Sequence, residues 1–307
     1  ELATGQLNAL LNLVFGNVSL YPGVRLCGLD LPPSVTSEFE GPRFGVAGLR
    51  RMTGVGARPL LATALKPRGL AATRLAELAH QFALGGGDLV KDDQNLVEPF
   101  EAFKARVHAC AVAVARANDR TGRQCLYFPH VSAPSEELPR YLDFVYAEGL
   151  RGVLMCPMVL GLDNTRALAN AYPLAWMAHP AMAGSLVVGQ DHGIDERILF
   201  GQLFRLAGAD ISIFPSFGGR FSFSRDACLE IRDALLSATD GLSPAWPCPA
   251  GGMQYDDVPA LASTYGQDAI LLIGGSLFGH SHDLTASTRA YRDAIESVHP
   301  GTEEDVR

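Results

Sequence analysis

The chain has 307 residues, a formal net charge of −8 and 48% hydrophobic residues. That length suits a (β/α)₈ barrel, typically ~250 residues, plus extra elements, and it provides for a large core. The acidic balance, with no basic run, argues against nucleic acid, whose binding rests on neutralising phosphates. Apolar runs stay far short of the ~20 residues that cross a bilayer, and no basic-led signal segment opens the chain. A soluble, cytoplasmic protein is expected. Six cysteines (Cys27, Cys110, Cys125, Cys156, Cys228, Cys248) are scattered without a CxxC pair, which favours small buried thiols over zinc or a disulfide framework.

Residues 1–58 carry GNVSLYPG, the Pro32–Pro33 pair and EGPRFG. They read as connectors and the end of a preceding N-terminal α+β domain, as if the chain began partway through a larger protein. From 59 to 297, short apolar runs alternate with amphipathic stretches, the signal for βαβ units around a parallel sheet. Eight such runs follow in order: 59–66, 88–91, 125–128, 152–155, 175–178, 210–214, 245–248 and 269–274. Helices are predicted between them, for example over 71–84, 99–117, 194–207, 225–236 and 286–297. Eight strand–helix repeats close into an α/β (β/α)₈ TIM barrel; a doubly wound sheet is the alternative. Residues 298–307 read as a C-terminal tail.

Catalytic groups of such barrels sit where strands end and βα loops begin. Polar residues and glycines fall at those places. Lys66 ends the first run, Lys91 to Gln94 the second and His179 the fifth. GGRF (Gly218–Phe221) follows the sixth, Gly251–Gly252 the seventh and Gly274–Gly275 the eighth. The sharpest stretch is Gly86-Gly87-Asp88-Leu89-Val90-Lys91-Asp92-Asp93-Gln94-Asn95. A bare ammonium cannot bind a cation. Lys91 carbamylated by CO₂ would instead be anionic and, with Asp93 and Gln94, would offer the hard oxygen ligands Mg²⁺ prefers. The same stretch also reads as a solvated loop with a Lys–Asp pair, the glycine pairs as tight turns, and Lys66 as a surface residue.

The stretch around Lys91 resembles the GxDFTKDDE signature of the RuBisCO large-chain family. Further resemblances follow in family order. Phe15–Val18 is similar to the GNV segment, Gly41–Gly45 to GPxxG, Leu65–Leu70 to IKPKLGL and His179–Met182 to HRAMH. Leu206–Asp210 is similar to LSGGD, Ala250–Gly252 to SGG and Ile273–His280 to FGGGTLGH. The resemblance implies that Lys91, Asp93 and Gln94 hold Mg²⁺ with CO₂ as a carbamate on Lys91, that Lys66 is the enolising base and that His179 shuttles a proton. It implies that Gly251, Gly252, Gly274 and Gly275 hold the proximal phosphate through backbone N–H groups. It also implies a homodimer with the site at the subunit interface, completed across it by Asn17 and by the N-terminal domain.

The departures from the family pattern bear on function. Gln94 stands where the family has a Glu ligand, which weakens Mg²⁺ without abolishing a site of charge −2. Pro180 and Ile213 replace the Arg and His of the distal phosphate clamp, a change that no substitution of equal size offsets. Arg220 stands at the mobile-loop Lys, Ala250 at a substrate-binding Ser, and Pro129–His130 where the family has Asn, which makes His130 a candidate substrate contact. The expectation is a RuBisCO-like protein that does not carboxylate. It would form an enolate from a monophosphorylated keto-sugar or keto-sugar acid. The outcome would be isomerisation, or decarboxylation or transcarboxylation–hydrolysis of the 3-oxo-isoapionate 4-phosphate type. The alternatives are 2,3-diketo-5-methylthiopentyl-1-phosphate enolase and a non-catalytic relic.

Overall fold

A computed structural model describes residues 5–221, 223–238 and 241–299. The last residues of the expected tail, 300–307, lie outside this range. Eight parallel strands form the centre: β1 (Leu60–Leu65), β2 (Leu89–Asp92), β3 (Leu126–Phe128), β4 (Gly152–Met155), β5 (Ala175–Ala178), β6 (Ile211–Pro215), β7 (Trp246–Ala250) and β8 (Ile270–Leu272). Their hydrogen-bonded order is β3-β2-β1-β8-β7-β6-β5-β4. The two ends meet through a parallel bridge between His130 and Leu154, with Val131 N–H donating to Leu154 O at 3.0 Å and Leu154 N–H to Pro129 O at 2.9 Å. The sheet is therefore a closed barrel, and the doubly wound alternative is excluded.

Side chains alternate across each strand, so every second residue enters the barrel. Leu60 and Ala62 of β1, Leu89 of β2, Phe128 of β3, Leu154 of β4, Met177 of β5, Ile211 and Ile213 of β6, Trp246 and Cys248 of β7 and Ile270 and Leu272 of β8 pack together there as one buried cluster. The intervening positions, such as Leu61, Val90, Tyr127, Val153, Trp176 and Phe214, join the larger core beneath the surrounding helices. The barrel is filled, not a pore, and only its two mouths remain open to chemistry.

The first part of the chain is more regular than the sequence suggests. It holds helices Leu7–Phe15, Pro33–Thr36 and Gly45–Thr53, and Arg25–Leu26 pairs in parallel with Gly193–Ile194. Helix Gly45–Thr53 closes the mouth at the strands' N-terminal ends. Leu49 is fully buried in the interior cluster, and the Arg50 guanidinium lies 4.9 Å over the Trp246 ring. Short turn motifs hid this helix, because its stability comes from the plugging contact and not from its own propensity. Asp210, just before β6, fastens it. One carboxylate oxygen accepts from Phe44 N–H at 2.6 Å and Gly45 N–H at 2.7 Å, and the other from Trp176 N–H at 2.9 Å. Five of the six cysteines are buried and all six are free. Among the described residues no helix is long and apolar enough to cross a membrane.

Asp210→Asn turns one acceptor oxygen into a donor facing an N–H group, whether Trp176 or Phe44 and Gly45 are left opposed. Loss of such buried hydrogen bonds costs about 1–3 kcal/mol. The denaturant midpoint of the variant should fall accordingly, with the far mouth of the barrel undisturbed.

Candidate active site

At the opposite mouth, the alternation that fills the barrel continues one step past the strands. Lys66 extends the inward series of β1, Lys91 and Asp93 that of β2, His179 that of β5 and Gly274 that of β8. They meet in a cavity of about 800 Å³. Its lining includes Lys66, Lys91, Asp93, Gln94, His179, Arg220, Gly251, Gly252, Gly274 and Gly275, so ten of the sequence candidates come together. Asn17 does not join them. It lies in the exposed 3₁₀ turn Asn17–Leu20, away from the cavity of its own chain.

Asp92 and Asp93 are sorted by the same alternation. Asp92 points outward and is fully buried, paired with the Arg106 guanidinium and accepting from Tyr127 OH at 2.8 Å and His130 N–H at 2.8 Å. Arg106 also bonds Glu98 at 2.8 Å. This buried network clamps the end of β2; removing one partner of such a pair costs about 3–5 kcal/mol. Neither Arg106 nor Tyr127 carried a motif that sequence reading could use. Their only signal was an arginine amid the apolar face of helix Phe100–Thr121.

Lys91 itself is buried, and its amine donates to Asp92 O at 3.0 Å. Burial pushes its pKa below the ordinary lysine range, against the opposing pull of Asp93. Asp93 is half-buried, with Oδ1 accepting from the backbone and side-chain N–H groups of Asn95, each at 2.9 Å. Among the described residues no three His, Cys, Asp or Glu side chains gather to hold a metal. A cation site therefore depends on converting the Lys91 amine to an anion. Its burial next to Asp93 and Gln94, which lowers its pKa, fits that conversion, because only the neutral amine attacks CO₂.

His179 Nδ1 accepts from Ala181 N–H at 3.1 Å. Burial, with Lys91 and His130 adding to it, holds the ring well below the ordinary histidine pKa. The neutral ring thus carries its proton on Nε2. His130 faces inward but is buried out of the cavity lining. Its Nε2 lies 3.5 Å from Cys156 Sγ, and burial, followed by the Lys91 charge, lowers its pKa to about 4. It backs the wall instead of facing a ligand.

The glycines leave room that side chains would fill. Gly251 and Gly252 adopt φ of 94° and 89°. A Cβ on Gly252 would lie 2.7 Å from Gly219 Cα and 2.8 Å from Arg220 N, so the loops after β6 and β7 touch backbone to backbone. A Cβ on Gly274 would lie 2.8 Å from Lys66 Nζ, the free end of a flexible chain. The same cavity is also lined by apolar side chains that the sequence did not reveal, Val187, Val188, Phe200, Phe221 and Phe223, together with Pro180 and Ile213 of the expected distal clamp.

A filled parallel barrel, with lysines at the ends of β1 and β2 and glycine pairs after β7 and β8, defines a (β/α)₈ scaffold with its candidate site at the C-terminal mouth. Residues 45–219 match the family described as the ribulose bisphosphate carboxylase large chain, catalytic domain. The chain is 42% identical over 290 residues to ribulose bisphosphate carboxylase-like protein 1 of Rhodopseudomonas palustris, covering 94% of this chain and 77% of that one. It is 41% identical over 291 residues to 5-methylthioribulose-1-phosphate isomerase of Rhodospirillum rubrum, covering 94% and 76%. A crystal structure of a rubisco-like protein from Alicyclobacillus acidocaldarius superposes with a TM-score of 0.89 at 34% identity, covering 96% of this chain and 75% of that one. The chain belongs to the RuBisCO large-chain family, as a RuBisCO-like protein.

The two kinds of glycine should respond differently to alanine. Gly252→Ala meets backbone and a left-handed φ, at a cost of about 1–2 kcal/mol or more, and should lower the melting temperature. Gly274→Ala meets only the Lys66 amine and should leave the melting temperature close to that of the parent while the Lys66 side chain moves, as a crystal structure of the variant would show.

Proposed function

We propose that this protein is a Mg²⁺-dependent isomerase of a phosphorylated ketose whose far end is apolar. The observation that carries the reading is the lining of the cavity. Lys66, Lys91, Asp93, His179 and the glycine pairs share it with Val187, Val188, Phe200 and Phe223, and Pro180 and Ile213 stand at the positions where the family's second phosphate clamp has an Arg and a His. One phosphate is provided for and the other is not. The 41% identity to a protein named 5-methylthioribulose-1-phosphate isomerase supports the same choice, since a methylthio group is apolar. Such an apolar lining disfavours the sugar-acid branch, whose far end is a carboxylate.

Each residue then has a task. The N–H groups of Gly251, Gly252, Gly274 and Gly275 receive the phosphate. Lys66 removes a proton from the carbon next to the keto group, leaving an enolate. His179, with its proton on Nε2, gives that proton to the former keto oxygen and takes up the proton of the adjacent hydroxyl, while Lys66 returns the carbon proton to the former keto carbon, so the molecular formula is unchanged. Carbamylated Lys91, Asp93 and Gln94 would hold Mg²⁺, which when bound polarises the keto oxygen. Arg220, exposed above Phe221 at 4.9 Å, would close over the phosphate side. A second copy of the chain would complete the site through Asn17, whose exposed turn is free in the single chain.

Gln94 favours a second reading, a relic that has lost its metal and its chemistry. A carbamate separates the two, because a relic has no use for one. With ¹³C-bicarbonate and Mg²⁺, a carbamate resonance should appear and vanish in Lys91→Ala, and turnover should rise with bicarbonate. Gln94→Glu should tighten Mg²⁺ binding measured by calorimetry, as a neutral ligand becomes an anion.

Lys66→Ala tests the reaction itself. The residue lies at the rim outside the packed interior, so the variant should keep its melting temperature. Turnover of 5-methylthioribulose 1-phosphate should fall by ~10²–10⁴, the usual contribution of a positioned base. Solvent deuterium exchange at the carbon next to the keto group should fall in parallel. Exchange that persists while turnover drops assigns the base to another residue.

A further inference from the structure

The helix that follows Asp195 is not wound as an α-helix throughout. Arg197–Leu203 forms a π-helical segment, continued by Phe204–Leu206 as α-helix. Such wide turns carry one extra residue and occur frequently at functional sites, because they redirect a side chain that regular winding would bury elsewhere. Here the redirected position is Phe200. It lines the cavity while remaining 99% shielded from water, with 1% exposure.

Two contacts hold the wide turn in place. On the barrel side, the buried Ser212 hydroxyl of β6 donates to Phe200 O at 2.7 Å. On the outer side, Gly201 lets helix Arg225–Leu236 approach so closely that a Cβ would meet Ala234 Cβ at 2.7 Å. The Phe200 ring is then fixed edge-on to Phe204, centroids 5.6 Å apart at 80°, and tilted at 40° against half-buried Phe223 at 6.1 Å. Phe223 also lines the cavity, just beyond the loop that bears Arg220. The result is an aromatic corner in the cavity lining, built from Phe200 and Phe223 and backed by Phe204.

We infer that Phe200 and Phe223 are the residues that select the substrate's far end, admitting an alkyl or thioether group and rejecting a hydroxyl or phosphate, and that Ser212 is a positioning residue that holds Phe200 through the π-helical turn. A ring pinned in this way sets the depth of the pocket. A polar far end would lose its water there and find no partner among these side chains. This inference rests on the cavity being a phosphomonoester site, and the test separates the two.

The test is calorimetric, with the intact protein in Mg²⁺ and bicarbonate. The probes are 5-methylthioribulose 1-phosphate and ribulose 1-phosphate, which differ only at the far end. The parent should favour the methylthio probe by ~10–200-fold, the range that one small apolar group commands in a fitted pocket. Phe200→Leu, Phe223→Leu and Ser212→Ala should each shrink that ratio to a few-fold. The Ser212 variant touches no ligand, so its loss of ratio reports positioning and not contact. Phe223 is half-buried, so its variant carries the test should Phe200→Leu fail to fold. A parent without preference, or leucine variants that keep the full ratio, overturns the selector while the phosphomonoester site stands. A parent that binds neither probe overturns the site and the selector together.

Discussion

Closing eight parallel strands into a barrel leaves each inward side chain a single shared space, and the rest of this protein follows from that constraint. Apolar residues fill the middle of that space, and helix Gly45–Thr53 seals one end with Leu49. Polar groups gather at the other end, with Lys91 buried within β2 and Lys66, Asp93 and His179 half-buried just past their strands. Lys66, Lys91, Asp93, His179 and Gly274 are neighbours because their strands are, not because any local sequence brings them together. The site is a property of strand closure.

The same parity divides adjacent residues of like chemistry. Asp92 and Asp93 are consecutive carboxylates with opposite fates. One is locked into a buried pair with Arg106 and a bond from Tyr127, and the other faces the cavity. The locked residue holds the strand end still, so the free one has a fixed position from which to act. Burial of Lys91 acts by a different route, lowering the amine's affinity for a proton. Neighbouring roles are thus divided among Lys91, Asp92 and Asp93, which alternate in direction at the end of β2.

Much of this was legible in the sequence. The eight runs predicted as strands overlap β1 to β8, with the run at 175–178 coinciding with Ala175–Ala178, because short apolar runs bounded by glycine and polar residues carry a strong signal. Helix 225–236 also coincides with Arg225–Leu236, where Ser224 caps its start by accepting from Ala227 N–H. Ten candidate residues reach one cavity because strand ends can be read from periodicity and the family motifs mark them. What escaped was tertiary. The plug helix is short, with glycines at Gly45 and Gly48, and begins inside a run of turn residues that masked it. His130 looked available, yet the rim at β3 and β4 covers it. The aromatic lining combines a helix residue, Phe200, with Phe221 and Phe223 of the loop after β6, and the π-helical turn is held by a serine of β6.

The contact between Gly219 and Gly252 has a consequence for how this site can change over time. The loops after β6 and β7 meet with no side chain between them. Nothing there can be trimmed or enlarged to retune their spacing, and a substitution at either glycine pushes against main chain. Mutational freedom is therefore channelled away from this loop contact and toward Phe200, Phe223 and Val188, lining side chains that can be exchanged one at a time. A lineage built on this cavity keeps the spacing of its two glycine loops as a fixed inheritance and varies the side chains around them.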